Sequence, residues 1–152
     1  NEGLDFVDIV DFDYLLEKSD IVSILIPLIE LGSCKTERLI GKKELEKIGV
    51  AGLGWLINTS RGAIINEKDL IESLKNGVIK KAGLDVYETE PLSEHSELRK
   101  LPNVVLTPHI AGDTKEALIA RYTLIAENAI SVMNNERPQY IVKELQSVFA
   151  NT

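Results

Sequence analysis

Leu56-Ile57-Asn58-Thr59-Ser60-Arg61-Gly62 decides the fold. Trp55 to Asn58 is a short apolar β-type run that breaks off into small polar residues and one arginine. The same pattern recurs downstream. Lys81 to Val86 runs into Tyr87-Glu88-Thr89-Glu90-Pro91, and Val104 to Thr107 runs into Pro108-His109-Ile110-Ala111-Gly112. Upstream, Ile21-Val22-Ser23-Ile24-Leu25-Ile26 is a β-branched run closed by Pro27, which reads as a buried strand.

Helical segments separate these runs. Asp11 to Lys18 carries apolar residues at helical spacing after acidic cap candidates, and Lys42 to Ile48 is a turn or two ended by Gly49. Asn66-Glu67-Lys68-Asp69 opens a helix to Lys75, with Leu70, Ile71 and Leu74 on one face and Gly77 past its end. Asp113-Thr114-Lys115-Glu116 is the cap and first turn of a long helix to about Met133, stopped by Asn134-Asn135. Strands alternating with helices predict a parallel α/β sheet with right-handed crossovers. The stretch from Tyr87 to Asn103 is the longest irregular segment and is expected to be a mobile loop.

The 152 residues suit one domain, and the 44% apolar and 27% charged shares are those of an ordinary soluble protein. A net charge of -7 with no basic stripe argues against nucleic acid. No apolar stretch reaches the roughly 20 residues needed to cross a bilayer, and Asn1-Glu2-Gly3-Leu4-Asp5 has no secretory pattern. Cys34 is the only cysteine, so neither an intrachain disulfide nor a cysteine metal cluster is expected, and the default setting is cytoplasmic.

In open parallel sheets, ligands bind where strand C-termini spill into loops. An arginine, acidic residues and a histidine at three such ends are therefore placed to converge on one small anionic substrate. Arg61 can hold a carboxylate and an adjacent carbonyl with two parallel hydrogen bonds, although a loop salt bridge is the alternative. Thr59 and Ser60 are short enough to let a flat ring lie against the backbone. His109, stiffened by Pro108, is an imidazole, the side-chain type suited to donating a proton in one direction and taking it back in the other. Glu90, ahead of Pro91, is the candidate partner for the imidazole, and by position alone Glu88 competes with it about evenly. Asp85, at a strand terminus, either accepts from an amide such as a nicotinamide carboxamide or caps a turn. His95 reads as a surface residue.

Taken together, these pieces resemble the D-isomer-specific 2-hydroxyacid dehydrogenases. The resemblance rests on Ser19-Asp20-Ile21-Val22 through Ile26-Pro27, Asn58 to Asn66, Gly83 to Pro91 and Leu106 to Gly112, and covers about Val7 to Val142. It implies that Arg61 binds substrate as the electrophilic residue, that His109 is the general acid/base and that Glu90 is the histidine's partner. It also implies Ile26, Pro27 and Thr36 along the cofactor, with Thr59, Ser60 and Arg61 near the nicotinamide. Asp85 would meet its carboxamide, and His109, Ala111 and Gly112 would lie close by. The implied cofactor is NAD, with NADP open, and the implied substrate is a small 2-hydroxy or 2-keto acid. A homodimer is expected, and no metal site.

The family's glycine-rich G-x-G-x-x-G turn after a first strand is not found. The only G-x-G, Gly52-Leu53-Gly54, precedes a strand and has Ile57 where the third glycine belongs. The connection Leu28 to Lys35 looks longer than usual. The expectation is thus a partial Rossmann-type, doubly wound sheet lacking the first βαβ unit. Residues 1–134 would be the C-terminal part of the dinucleotide-binding domain, and 135–152 a tail returning to a missing substrate domain. Such a fragment is expected to bind NAD poorly, to be inactive alone and to associate through apolar faces. The rival functions are an NAD-sensing, corepressor-like binding module and an inactive truncated scaffold.

Overall fold

The computed structural model describes residues 7–50 and 52–149. Four strands form one parallel sheet in the order β1 (Ile21–Ile24), β2 (Trp55–Asn58), β3 (Lys81–Leu84), β4 (Val104–Leu106). Helices α1 (Phe12–Lys18), α2 (Lys42–Val50) and α3 (Glu67–Lys75) precede or link the first three strands, and α4 (Lys115–Met133) follows the last. Among the described residues, those up to Ala111 make one compact unit and those from Gly112 onward make a second. Among the described residues, no helix is long and apolar enough to cross a membrane.

The period-2 rule of a strand sends alternate side chains to opposite faces. Val22, Ile24, Leu56, Asn58, Ala82 and Leu84 are buried on one face. They join Leu16 of α1, Leu45 and Ile48 of α2, and Leu70 and Leu74 of α3 in the core. The alternate residues Ile21, at 45% exposure, and Val105, at 68%, are open. Continuous apolar runs such as these read as strands buried on both sides. In this unit the opposite side is partly open, with Trp55, Ile57 and Gly83 half-buried between the exposed Ile21 and Val105.

Two sequence expectations need correction. Gly49 does not end α2 but lies in its last turn, and a Cβ there would stand 2.7 Å from the Val78 carbonyl oxygen. The glycine permits close packing and is no stop signal. The segment Tyr87 to Asn103 is not structureless: Glu97–Lys100 is a 3-10 turn capped by the Ser96 hydroxyl, and Leu98 is buried. Arg99 also ties Nε to the Ser93 carbonyl and Nη2 to the Leu92 carbonyl, both at 3.0 Å.

The other boundaries have clear local causes. The Asn66 side chain accepts from the Asp69 amide at the start of α3, and Gly77 takes φ +71° just beyond its end. In the second unit, the Thr114 hydroxyl accepts from the Ala117 amide to open α4, and Asn135 at φ +56° follows its end. Gly52 and Gly54 have φ of +102° and +55°, so their G-x-G makes the tight turn into β2.

Candidate active site

Register brings the chemistry to one rim. Ile24, Asn58, Leu84 and Leu106 stand side by side at the C-terminal ends of the four strands. The segments that follow them carry Ile26 and Pro27, then Thr59 to Arg61, then Asp85 to Glu90, then Thr107 to Ala111. Residues separated by up to some eighty positions thus share one edge.

The central contact is a 2.7 Å hydrogen bond between His109 Nδ1 and Glu90 Oε2. Both side chains are partly exposed, at 46% and 35%. The hydrogen bond from His109 is the main cause holding the Glu90 carboxyl below its usual range; burial opposes it, and the Tyr87 amide and the His109 and Arg61 charges add to the lowering. Glu90 Oε1 is also held, at 3.1 Å, by the Tyr87 amide. Glu88 turns elsewhere. Its carboxylate lies 3.7 Å from Arg38 Nε and accepts from the Glu67 amide. Of the two competing carboxylates, Glu90 is the one joined to the imidazole.

His109 has φ +57°, a left-handed conformation that costs a non-glycine residue about 1 kcal/mol or more. Asp85 explains how it is held. Its buried carboxylate accepts from the Ile110 amide through Oδ1 and from the Ala111 amide through Oδ2, each at 2.9 Å, and from the Thr107 hydroxyl. Burial pushes the Asp85 carboxyl up, but the Thr107 hydroxyl and the Ala111 and Ile110 amides outweigh it, with help from the His109 charge, and the net direction is down. Asp85 is thus a cap for the turn that presents His109. A carboxylate has about four lone-pair sites, so roughly one acceptor position is left over. Tyr87 ties the same two strand ends, donating to the Thr107 carbonyl at 2.7 Å with the Leu84 carbonyl 3.1 Å away.

The Arg61 turn is held differently. Fully buried Asn58 accepts from the Ser60 amide and donates from Nδ2 to the Arg61 carbonyl, both at 3.0 Å. Arg61 itself is exposed, and one of its five N–H groups reaches the Ser60 carbonyl at 2.7 Å. The Ser60 hydroxyl donates to the Ile26 carbonyl and joins the first two rim segments. Thr36 donates to the Pro27 carbonyl and accepts from the Ile29 amide, both at 2.7 Å, so it staples the long connection shut beside Pro27. Gly112 belongs to the second compact unit, whereas Ala111 closes the first. His95 is exposed. A cavity of about 340 Å³ opens beside the Glu90–His109 pair, walled by Tyr87, Pro91, Leu106 and Pro108.

Asn58 escaped the sequence reading as a functional residue. A signal was present, because it shares the core-facing parity of Leu56, and a polar side chain on that face must find partners. Among the described residues, no group of three or more His, Cys, Asp or Glu side chains could hold a metal ion.

The family model for the D-isomer specific 2-hydroxyacid dehydrogenase NAD binding domain matches residues 2–111. A glyoxylate reductase of Thermofilum pendens is 43% identical over 138 residues, which are 91% of this chain and 39% of that protein. A D-3-phosphoglycerate dehydrogenase of Archaeoglobus fulgidus is 41% identical over 126 residues, 83% of this chain and 23% of that protein. The crystal structure of a D-lactate dehydrogenase with NAD+ from Lactobacillus jensenii superposes with a TM-score of 0.75 at 31% identity. It covers 88% of this chain and 42% of that one. The chain therefore spans well under half the length of these relatives. A parallel sheet whose rim gathers Arg61, Asp85, Glu90 and His109, matched over most of its length by that family model, belongs to the D-isomer specific 2-hydroxyacid dehydrogenase family.

Proposed function

We propose that the chain is part of an NAD(H)-dependent oxidoreductase that interconverts a small 2-keto acid and its 2-hydroxy acid. The observation that carries the reading is the Glu90–His109 hydrogen bond on the same rim as Arg61. NAD(H), when bound, supplies or receives the hydride. In the reductive direction, Arg61 grips the substrate carboxylate through two N–H groups and polarises the ketone. His109 donates its Nε2 proton to the nascent alkoxide, while the Glu90 carboxylate steadies the charged imidazole from Nδ1. Charge placed in advance where the alkoxide develops supplies a large share of the rate gain.

The rim suits the nicotinamide end of the cofactor. Asp85 retains an acceptor position for a carboxamide N–H, Ile26 and Pro27 offer an apolar edge, and Thr59 and Ser60 leave room beside the backbone. Thr36, Ala111 and Gly112 are proposed to line the same cofactor. Among the described residues there is no G-x-G-x-x-G turn for the pyrophosphate, so strong binding requires a segment beyond this chain. In the complete enzyme, residues 1–134 would belong to the dinucleotide-binding domain and 135–152 would return to a substrate domain. A homodimer and a cytoplasmic setting are part of the same proposal. A nucleotide sensor would need no proton donor, so the Glu90–His109 pair favours the enzyme.

The test is a chimera in which this chain replaces the matching region of the Thermofilum pendens glyoxylate reductase. NADH oxidation is followed with glyoxylate, hydroxypyruvate and pyruvate in turn. Turnover is expected with at least one, lost by about a hundredfold or more in His109→Asn. A chimera that binds NADH and the keto acid yet turns over neither faster nor slower than His109→Asn would end the proposal.

A further inference from the structure

The two loops that carry Arg61 and Glu90 touch at Gly62. A Cβ built on Gly62 would overlap the carbonyl carbon and oxygen of Tyr87 and crowd the Glu88 nitrogen. Those are backbone atoms, so no side-chain rotation relieves the clash. The φ of Gly62 is not in the left-handed range, and proximity alone requires the missing side chain.

Just beyond this contact, two glutamates lock the loops reciprocally. The Glu67 amide donates to Glu88 Oε1 at 3.4 Å, and the Glu88 amide donates to Glu67 Oε2 at 3.3 Å. The peptide between Tyr87 and Glu88 is thus pressed by Gly62 on one side and tied by Glu67 at its N–H. The Tyr87 amide, one atom group earlier, is the donor that holds Glu90 Oε1. A push on this peptide therefore displaces Glu90 from His109.

We infer that Gly62, backed by the Glu67–Glu88 lock, is a positioning residue that sets the Glu90–His109 bond relative to Arg61. The inference rests on the acid–base reading above and deepens it. Gly62 fixes how closely the arginine loop and the glutamate loop approach.

The experiment uses the chain as it stands, because its two histidines can be observed separately. Ring-nitrogen NMR above the imidazole titration reads which nitrogen carries the proton, and exposed His95 serves as the internal reference. In the wild type, the Glu90 carboxylate should keep the His109 proton on Nδ1. Gly62→Ala should lower that Nδ1–H to Nε2–H ratio by on the order of tenfold, since a hydrogen bond to a charged group is lost. Glu67→Ala should lower it severalfold, and Glu67→Gln, which retains an acceptor for the Glu88 amide, should restore it. The His95 ratio should not move in any variant.

If Gly62→Ala does not fold, Glu67→Ala against Glu67→Gln decides. A wild-type ratio that matches His95 overturns the acid–base reading and this inference with it. A wild-type preference that survives unchanged in the folded variants overturns this inference alone.

Discussion

The turns that present His109 and Arg61 solve one problem with different chemistry. Both side chains are exposed, and each turn is held by a buried polar residue at a strand end, from the neighbouring strand for His109 and from its own strand for Arg61. For His109 the anchor is a carboxylate, Asp85, accepting from a hydroxyl and two amides. For Arg61 the anchor is a neutral amide, Asn58, donating once and accepting once. The charged anchor goes with the strained backbone, at φ +57° for His109, and the neutral one with Arg61 at an ordinary φ of -142°. Bonds to a charged group are roughly twice as strong as neutral ones, so the stronger anchor sits where the chain resists its conformation.

That contrast predicts an order of effects. Asp85→Ala should cost about 3 kcal/mol in urea unfolding, because three donors lose one acceptor and the left-handed turn loses its brace. Asn58→Ala should cost about 2 kcal/mol, the expense of two neutral bonds and a small polar cavity. If the order reverses, charge is not what holds the strained turn.

Acid titration sharpens the same comparison. The folded Asp85 carboxyl lies below its ordinary value, near 3.9 in an unfolded chain. Its contribution to stability is fully present above that unfolded value and is lost as pH falls through the lower folded one. The stability gap between wild type and Asp85→Asn should therefore hold at neutral pH and shrink below about pH 4. The gap between wild type and Asn58→Ala should stay flat over that range, apart from the acid loss common to both. Equal shrinkage in the two gaps would mean that the Asp85 charge does not carry the difference.

Much of this arrangement was legible in the residues. The four strands and the rim follow from apolar runs that break into polar clusters, and the start and stop of α4 follow from Thr114 and Asn135. Other features needed three dimensions. Glu88 and Glu90 lie two residues apart on one loop, and only the approach of Arg38 and Glu67 to the first assigns the second to His109. Gly49 looked like a helix stop because its real constraint, Val78, lies 29 positions away. The β-branched runs alone spell buried strands, and an open face was expected only because the glycine-rich first unit of the resembled fold is missing from the sequence.

The smallest expected effect bears most directly on function. The Glu90–His109 pair is partly open to solvent, at 35% and 46%, and such pairs contribute at most about 1 kcal/mol. Glu90→Gln should therefore unfold within about 0.5 kcal/mol of wild type at neutral pH. In the chimera, the same change should lower kcat by tenfold or more, because the imidazolium loses the charge that stabilises it during proton transfer. A stability loss above about 2 kcal/mol would instead make Glu90 an anchor of the same kind as Asp85 and Asn58. The distinction between residues that hold the rim and residues that work on it would then fail at its central bond.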